Sequence, residues 1–238
     1  MNRFVIITPG RSGSTYLART LNQHPEVECE EEVFNRSENY NGSFNHFITK
    51  SLLNRTIAFF FNRERLSTFK ANWPLRWLLS RFLKSKSHLR KWYGFKLSLD
   101  QLFAYPQLFA ILKSSYKVIY VARLDKRRVV LSLLASRKTG NYSTFDGEKI
   151  SLDPVKVKSM IIELEKQEVK FKSYFKKKLE ITTHDLFHHM TISFRRIEEY
   201  LSLSTPIKAK ASKQVRPDDL AEWVENIDEI EMYLQARD

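Results

Sequence analysis

The chain has 238 residues, of which 40 are Lys or Arg and 27 are Asp or Glu, so its formal charge is +13 at pH 7. Hydrophobic residues make up 42% of it, which is enough to fill a core and disfavours a disordered, collagenous or multi-domain protein. Its one cysteine, Cys29, excludes an internal disulfide framework and a cysteine-based zinc site. No stretch approaches the ~18 apolar residues of a membrane span and no signal-peptide pattern precedes the first strand, so we expect a cytoplasmic protein.

Strands and helices alternate along the predicted chain. Residues 4–7 form a short apolar run rich in β-branched residues, which is typical of a buried strand, and helical spacing begins at Ser14 after a Gly-containing break. Further on, Ser98 with Gln101 has the capping-box spacing of a helix start, and Asp125 is a suitable N-cap. The remaining predicted strands are 27–29, 93–97, 117–122 and 179–182, and the remaining predicted helices are 44–61, from Pro74, 154 to about 176, from about Asp185 and from about Pro217.

This alternation predicts an α/β fold in which helices flank a mostly parallel central sheet. We expect one domain over residues 1–238, with a basic helical insert at about 44–92. Most of the excess charge lies in this region, because residues 50–96 hold twelve bases and a single acid. An acidic run precedes it, with five glutamates and no base in residues 26–32.

The loop between the first strand and the first helix carries the first chemical motif, Pro9-Gly10-Arg11-Ser12-Gly13-Ser14-Thr15-Tyr16. Its glycines allow a tight turn with inward-pointing backbone N–H groups, and the helix N-terminus adds partial positive charge. The hydroxyl side chains add donors, and the Arg11 guanidinium can bind two anion oxygens at once. These features predict a site for an anion of the phosphate class.

This loop is not a Walker A motif, which requires four residues between its glycines and a Lys before the final Ser or Thr. Gly10 and Gly13 are separated by two residues, and the loop contains no Lys. A nucleotide or small-molecule kinase is therefore the weaker alternative for such an anion site.

The run Arg11-Ser12-Gly13-Ser14-Thr15 resembles the 5′-phosphosulfate loop of sulfotransferases that use 3′-phosphoadenosine 5′-phosphosulfate (PAPS). In that family an Arg at the end of a central strand and a Ser about two helical turns later hold the 3′-phosphate. Arg123 and Ser132 stand in these places, and the seven-residue spacing from Asp125 lets Ser132 face the strand end. The resemblance implies a P-loop-like sulfotransferase fold, PAPS as cosubstrate and adenosine 3′,5′-bisphosphate as its product. The cosubstrate-binding residues that it implies are Arg11, Ser12, Gly13, Ser14, Thr15, Tyr16, Arg123 and Ser132.

Further strings resemble the bacterial carbohydrate sulfotransferases of the Stf0 and NodH-like type. They imply a hydroxyl of a carbohydrate or glycolipid as the acceptor. Lys96, within one string, is a candidate contact for the acceptor or the sulfonate, or else a structural side chain packed on the sheet. In chain order the strings are His24-Pro25-Glu26-Val27, Glu32-Val33-Phe34-Asn35, Gly94-Phe95-Lys96-Leu97, Asp100-Gln101, Thr183-His184-Asp185-Leu186, Lys213-Gln214 and Glu225-Asn226.

In-line sulfuryl transfer requires positioning, stabilisation of the charge on the leaving oxygen and a base for the acceptor hydroxyl. Arg11 is our candidate for the stabilising charge. The family's Glu-x-Phe pattern aligns with residues 32–34 and implies Glu32 as the base. The adjacent Glu30 and Glu31 leave this choice open, since neighbouring like charges raise one another's pKa. A histidine is the other kind of base that remains open.

The six histidines form no pattern that predicts a metal site. His188 and His189 are neighbours on a predicted helix, so their side chains point apart, and we do not expect them to share a metal. We therefore predict that the reaction requires no metal.

The basic region 50–96 and its aromatic residues leave a nucleic-acid-binding protein as an alternative of another class. Helical spacing places most of its leucines and several aromatics inside, which leaves a basic stripe without stacking residues. We therefore expect no nucleic-acid partner. We interpret the region as the acceptor side, which faces an acidic glycan or binds an anionic membrane surface peripherally. A homodimer is left open.

Overall fold

The computed structural model describes residues 2–31, 33–34, 81–82, 90–140, 147–209 and 219–236. The strands of these residues are β1 Asn2–Thr8, β2 Val27–Glu30, β3 Trp92–Ser98, β4 Lys117–Ala122 and β5 Leu179–Thr182. Their helices are α1 Ser14–Asn22, α2 Leu99–Ala104, α3 Gln107–Ser115, α4 Lys126–Thr139, α5 Pro154–Tyr174, α6 Thr183–His188, α7 Met190–Leu201 and α8 Ile227–Gln235, with a 3₁₀ turn at Leu220–Glu222. Each predicted strand is confirmed, and none of these helices has the length and apolar character needed to cross a membrane.

The strands form one parallel sheet in the order β2-β3-β1-β4-β5. The central strand is β1, which pairs with β3 along its whole length and with β4 from Phe4 to Ile7. Gly94 of β3 lies opposite Phe4, whose ring occupies the space that a side chain at position 94 would need. This parallel sheet between helices confirms the predicted α/β, P-loop-like fold.

Alternate residues of β1 face two different cores. Val5 and Ile7 pack on the side covered by α2 to α5, while Phe4 and Ile6 pack on the side covered by α1 and α7. All four side chains are fully buried. Burial on both faces explains why this strand appears in the sequence as a continuous apolar run rather than an alternating one.

The carboxyl ends of β1 and β4 lie side by side. The chain leaves β1 toward β2 at one edge of the sheet, whereas it leaves β4 toward β5 at the other. Open α/β sheets bind ligands outside the carboxyl ends of strands whose connections diverge in this way. The fold therefore places the loop after β1 and the turn after β4 where a ligand site is expected.

Side-chain caps are present at the starts of α2, α4 and α5. Ser98 and Gln101 form the expected capping box before α2. Asp125 accepts a hydrogen bond of 3.0 Å from the N–H of Arg128 at the start of α4, and Asp153 caps α5 in a similar way. These contacts satisfy N–H groups that have no acceptor within the helix.

Two predicted helices differ from the observed ones. The helix predicted to start after Ser98 ends at Ala104, where Tyr105 precedes a proline and leaves the helical region with φ −127° and ψ 74°. The helix predicted from about Asp185 is two helices, since His189 leaves the helical region between α6 and α7. The helix predicted from about Pro217 is a 3₁₀ turn followed by α8.

Most of the predicted basic insert lies outside the described residues. This applies to the predicted helix 44–61 and to most of the helix predicted from Pro74, of which residues 81–82 are described and Phe82 is buried. The extent of the insert and the single-domain organisation stay predictions.

Glu26, one residue before β2, ties three segments of the chain together. Its carboxylate accepts hydrogen bonds from the ammonium of Lys91 at 2.9 Å, from the N–H of Ser204 at 2.7 Å and from the Ser204 hydroxyl. The hydrogen bonds from Ser204 and Lys91 lower the pKa of Glu26 to about 2. This carboxylate is therefore charged in the folded protein well into the acid range.

Candidate active site

The loop between β1 and α1 has an unusual backbone. Gly10, Arg11 and Gly13 have positive φ values of 91°, 50° and 77°. Glycine adopts such values readily, but in an arginine they are uncommon and strained. Strain of this kind is typical of ligand sites, where backbone N–H groups must converge on one point.

Gly13 occupies the N-cap position of α1 and has no side chain with which to cap the helix. A Cβ at this position would lie 2.6 Å from the ring of Phe187 in α6, so both the backbone angle and the packing require glycine. The first N–H groups of a helix have no acceptor within it and carry partial positive charge. This end of α1 is therefore suited to an anion.

The hydroxyl of Ser12 points into the loop rather than out of it. Ser12 is fully buried, and its hydroxyl forms a hydrogen bond with the hydroxyl of Thr8, which also accepts the N–H of Gly10 at 3.1 Å. These bonds hold the loop closed on the end of β1. A cosubstrate role for Ser12 stays a prediction.

Thr183 joins this loop to the end of β4. Its buried hydroxyl lies 3.1 Å from the carbonyl oxygen of Ser12 and 3.2 Å from that of Ala122, and it can donate to either. Its only sequence signal was the family-like string that begins at this residue. The first residue of α6 thus fixes two strand ends relative to each other.

Three of the predicted cosubstrate residues meet at this edge of the sheet. The Nε of Arg11 donates a hydrogen bond of 3.0 Å to the hydroxyl of Ser132 in α4. A guanidinium nitrogen of Arg123, which follows β4, donates one of 2.6 Å to the carbonyl oxygen of Arg11. The arrangement brings two guanidinium side chains and the positive end of α1 together, a combination of charges suited to an anion.

An ion pair that sequence reasoning missed, between Lys126 and the buried Glu168, fixes the turn after β4. The ammonium of Lys126 lies 2.8 Å from the carbonyl oxygen of Arg123 and 2.5 Å from the carboxylate of Glu168 in α5. The hydroxyl of Tyr120 in β4 donates to the same carboxylate oxygen, and burial together with this bond raises the pKa of the phenol. Lys126 thereby anchors the peptide of Arg123 to a buried acid.

Lys96, at the loop side of β3, reaches the first turn of α1. Its ammonium donates a hydrogen bond of 2.9 Å to the hydroxyl of Thr15. Both residues are only partly buried, so the cation lies beside the loop and not inside the sheet. Both sequence interpretations of Lys96, a ligand contact and a structural side chain, stay predictions.

Tyr16 is directed toward α6 and α7. Its ring stacks on Phe187 with a centroid distance of 5.5 Å, and its hydroxyl donates to the sulfur of Met190 at 3.0 Å. Burial raises the pKa of its phenol. The side chain therefore serves packing in this structure, and a cosubstrate role for Tyr16 stays a prediction.

The residue predicted as base, Glu32, lies outside the described residues. Its neighbour Glu31 accepts a hydrogen bond of 2.6 Å from Arg19 on the exposed side of α1. Of the histidines, His24 is buried and forms hydrogen bonds with Thr205 through its Nε2, which makes it structural. These contacts favour neither Glu31 nor His24 as the base.

Comparison with known proteins gives relatives by structure only. No protein-family model matches the sequence, and no curated protein sequence matches it. A sulfotransferase from Alicyclobacillus acidocaldarius matches with a TM-score of 0.52 and 15% identity over 100% of this chain and 97% of that one. The sulfotransferase domain of the curacin biosynthetic pathway matches with a TM-score of 0.51 and 12% identity, over 93% of this chain and 82% of that one. The sulfotransferase domain of the Synechococcus PCC 7002 olefin synthase matches with a TM-score of 0.50 and 13% identity, over 99% of this chain and 88% of that one.

These identities are low, so the matches establish a shared fold. The described sheet and helices have the arrangement seen in these sulfotransferase structures. The matches do not single out the Stf0 or NodH-like type to which the sequence strings were compared.

Proposed function

We propose that the protein is a PAPS-dependent sulfotransferase that transfers a sulfuryl group to a hydroxyl of a carbohydrate or glycolipid. The observation that carries this proposal is the contact of Arg11 with Ser132, and of Arg123 with the loop, at the N-terminus of α1. A cosubstrate with phosphate groups at both its 5′ and 3′ positions needs two adjacent cationic sites. The sulfotransferase names of the three structures with the same fold support this assignment.

In the proposed reaction the acceptor oxygen forms a bond to sulfur as the bond from sulfur to the phosphate oxygen breaks. Negative charge then develops on the phosphate oxygen that leaves. In this scheme the N–H groups of residues 12–15 and the Arg11 guanidinium stabilise this charge. Arg123 and Ser132 bind the 3′-phosphate, and the acceptor proton passes to Glu32. No step requires a metal.

Lys96 supplies a further cation in this scheme. Its ammonium already contacts the hydroxyl of Thr15 in the first turn of α1, so it is close to the loop that would hold the phosphosulfate. We assign it to the sulfonate side of the cosubstrate. Because a lysine ammonium is a compact charge with rotatable donors, it can follow the sulfuryl group as the bonds change.

The acceptor belongs in this proposal to the basic region 50–96. Its charge suits an acidic glycan, or an anionic membrane surface that holds a glycolipid and to which a cytoplasmic enzyme binds peripherally. A panel of sugars and glycolipids with radiolabelled PAPS tests this part directly.

Binding of adenosine 3′,5′-bisphosphate to the full chain tests the cosubstrate site. We expect Arg123→Ala to weaken binding by about 10- to 100-fold, since a hydrogen bond to a charged group contributes about 1.5–3 kcal/mol. Arg127→Ala is the matched control, because Arg127 is exposed and pairs with Glu231 at 3.3 Å on the surface. Unchanged affinity in Arg123→Ala would refute the assignment. Retention on bulk DNA with a steep salt dependence, without nucleotide binding, would favour the nucleic-acid alternative.

The base is tested by replacing Glu30, Glu31 and Glu32 with Gln one at a time. We expect Glu32→Gln to lower kcat while leaving the affinity for adenosine 3′,5′-bisphosphate unchanged, because the base acts only on the acceptor. Near-normal turnover in Glu32→Gln would remove this residue from the mechanism.

A further inference from the structure

Two histidines and an aspartate come together on the outer side of α6. His184, Asp185 and His189 each offer one ligand atom, and these three atoms lie within 4.8 Å of one another. Both histidines are exposed and Asp185 is partly so, which leaves the cluster open to solvent. None of the three side chains is used by the transfer mechanism proposed above.

The break between α6 and α7 creates this cluster. His184 and Asp185 belong to the first turn of α6, whereas His189 stands at the junction, with φ −121° and ψ 44°. The cluster includes His189 and not its neighbour His188. The rings of His188 and His189 nevertheless both lie beside that of His184, with centroid distances of 4.6 and 5.5 Å, so these adjacent histidines do not point fully apart as expected.

A neighbouring hydroxyl holds the aspartate in place. Thr182 donates a hydrogen bond of 2.7 Å to one carboxylate oxygen of Asp185 and accepts the N–H of the same residue at 3.0 Å. The other carboxylate oxygen faces His184, 3.9 Å from its Nδ1. Hydrogen bonds that orient a ligand from behind are a regular feature of metal sites.

We propose that His184, Asp185 and His189 form a binding site for a divalent transition metal of the zinc class. Imidazole nitrogens favour such ions, whereas magnesium and calcium favour oxygen ligands. Ligand atoms around a tetrahedral zinc ion lie about 3.3 Å apart, given bonds of about 2.0 Å. The exposed imidazoles reach this spacing by closing about 1.5 Å at most, since the ligand atoms lie within 4.8 Å of one another. Three protein ligands leave the fourth position to water.

The metal would join the start of α6 to the start of α7. Through Thr183 and Phe187, α6 also supports the loop before α1. A bound ion therefore restrains the outer support of that loop without touching the reacting groups. We expect it to stabilise the fold, because a ligand that binds only the folded state raises Tm.

Zinc binding to the tag-free, chelator-treated full chain tests the site by calorimetric titration. We expect His184→Asn and His189→Asn each to weaken zinc binding by more than about 10-fold, which is the range seen when metal sites lose a supporting residue. His188→Asn tests the neighbouring histidine, whose ring lies 4.6 Å from that of His184 but which is not one of the three ligands, and it should leave the affinity within about threefold of wild type. Equal loss in His188→Asn and His184→Asn, or no loss in either ligand variant, would overturn the ligand set.

Two measurements on the wild-type chain need no variant. Zinc at about 100 times its Kd should raise Tm by about 5 °C or more, while magnesium at the same concentration should not. Cobalt(II) in place of zinc should give the strong visible absorption of a four-coordinate site. A weak octahedral cobalt spectrum together with equal Tm values in zinc and magnesium would show that no such site exists.

Discussion

Replacing Thr183 with valine removes one hydroxyl from the contact between the loop before α1 and the end of β4. Valine has nearly the same shape, so packing around the site is retained. The hydroxyl lies within hydrogen-bonding distance of the carbonyl oxygens of Ser12 and Ala122, and no more than one of them receives its full hydrogen bond at a time. The variant therefore removes one shared hydrogen bond in a buried place.

The expected loss of stability follows from that burial. Leaving a buried carbonyl without its donor costs about 1–3 kcal/mol. For a chain of this length each kcal/mol lowers Tm by about 2–4 °C. Because the lost bond positions the loop, we also expect weaker binding of adenosine 3′,5′-bisphosphate, with the largest effect at temperatures near Tm.

Differential scanning calorimetry and nucleotide titration measure the two effects. Thr139→Val is the matched control, since the Thr139 hydroxyl donates to the carbonyl oxygen of Ala135 at 3.1 Å at the exposed end of α4. We expect that control to stay within about 0.5 kcal/mol of wild type. If Thr183→Val were as stable as Thr139→Val and bound the nucleotide equally well, this account of the loop would be wrong.

Three other predictions address the loop, the acid range and the buried pair. Gly13→Ala should lower the free energy of unfolding, measured in urea, by about 1 kcal/mol or more, because alanine is strained at φ 77° and its Cβ meets the Phe187 ring. Adding Phe187→Leu should restore only part of this loss, and a Gly13→Ala variant as stable as the wild type would contradict the prediction. The pKa of Glu26 is about 2 against an ordinary 4.5, so the stability that this carboxylate contributes is complete above about pH 4.5 and is lost as pH falls toward 2. Glu26→Gln should therefore lower Tm at pH 7 and make Tm fall less steeply in acid. Parallel curves of Tm against pH for the variant and the wild type would contradict this prediction. Lys126→Met should destabilise the folded protein by about 3–5 kcal/mol, because it leaves the buried carboxylate of Glu168 without its cation. Adding Glu168→Met should recover stability. If the single variant Lys126→Met were as stable as the double variant, the pairing would be disproved.

The strands and most helix starts could be predicted because their signals are local. The apolar run at residues 4–7 predicted β1, and Ser98 and Asp125 predicted the starts of two helices that the structure confirms. Helix ends were less predictable. His189 breaks a run that helical spacing alone continues, since its backbone leaves the helical region with φ −121° and ψ 44°.

The candidate site was partly predictable from motifs. The family resemblance assigned Arg11 to the phosphosulfate loop and Ser132 to the 3′-phosphate, and the structure joins their side chains although they are 121 residues apart. Thr183 bonds to Ser12 across 171 residues, and Lys126 meets Glu168 across 42. No local pattern marks such pairs, since each hydroxyl, acid or base is an ordinary choice within its own helix.

The sequence by itself determined that a strand, a glycine-containing loop and a helix open the chain, and that parallel strands alternate with helices after them. Backbone conformation and the periodicity of burial depend on neighbours in the chain, so the order of strands and helices can be predicted from the sequence. Only the tertiary structure decided that the hydroxyl of Ser12 faces inward, that Tyr16 packs against Phe187, and that His184 and His189 meet. The direction of a side chain depends on what lies against it, and these neighbours come from distant parts of the chain or from the way it turns between helices.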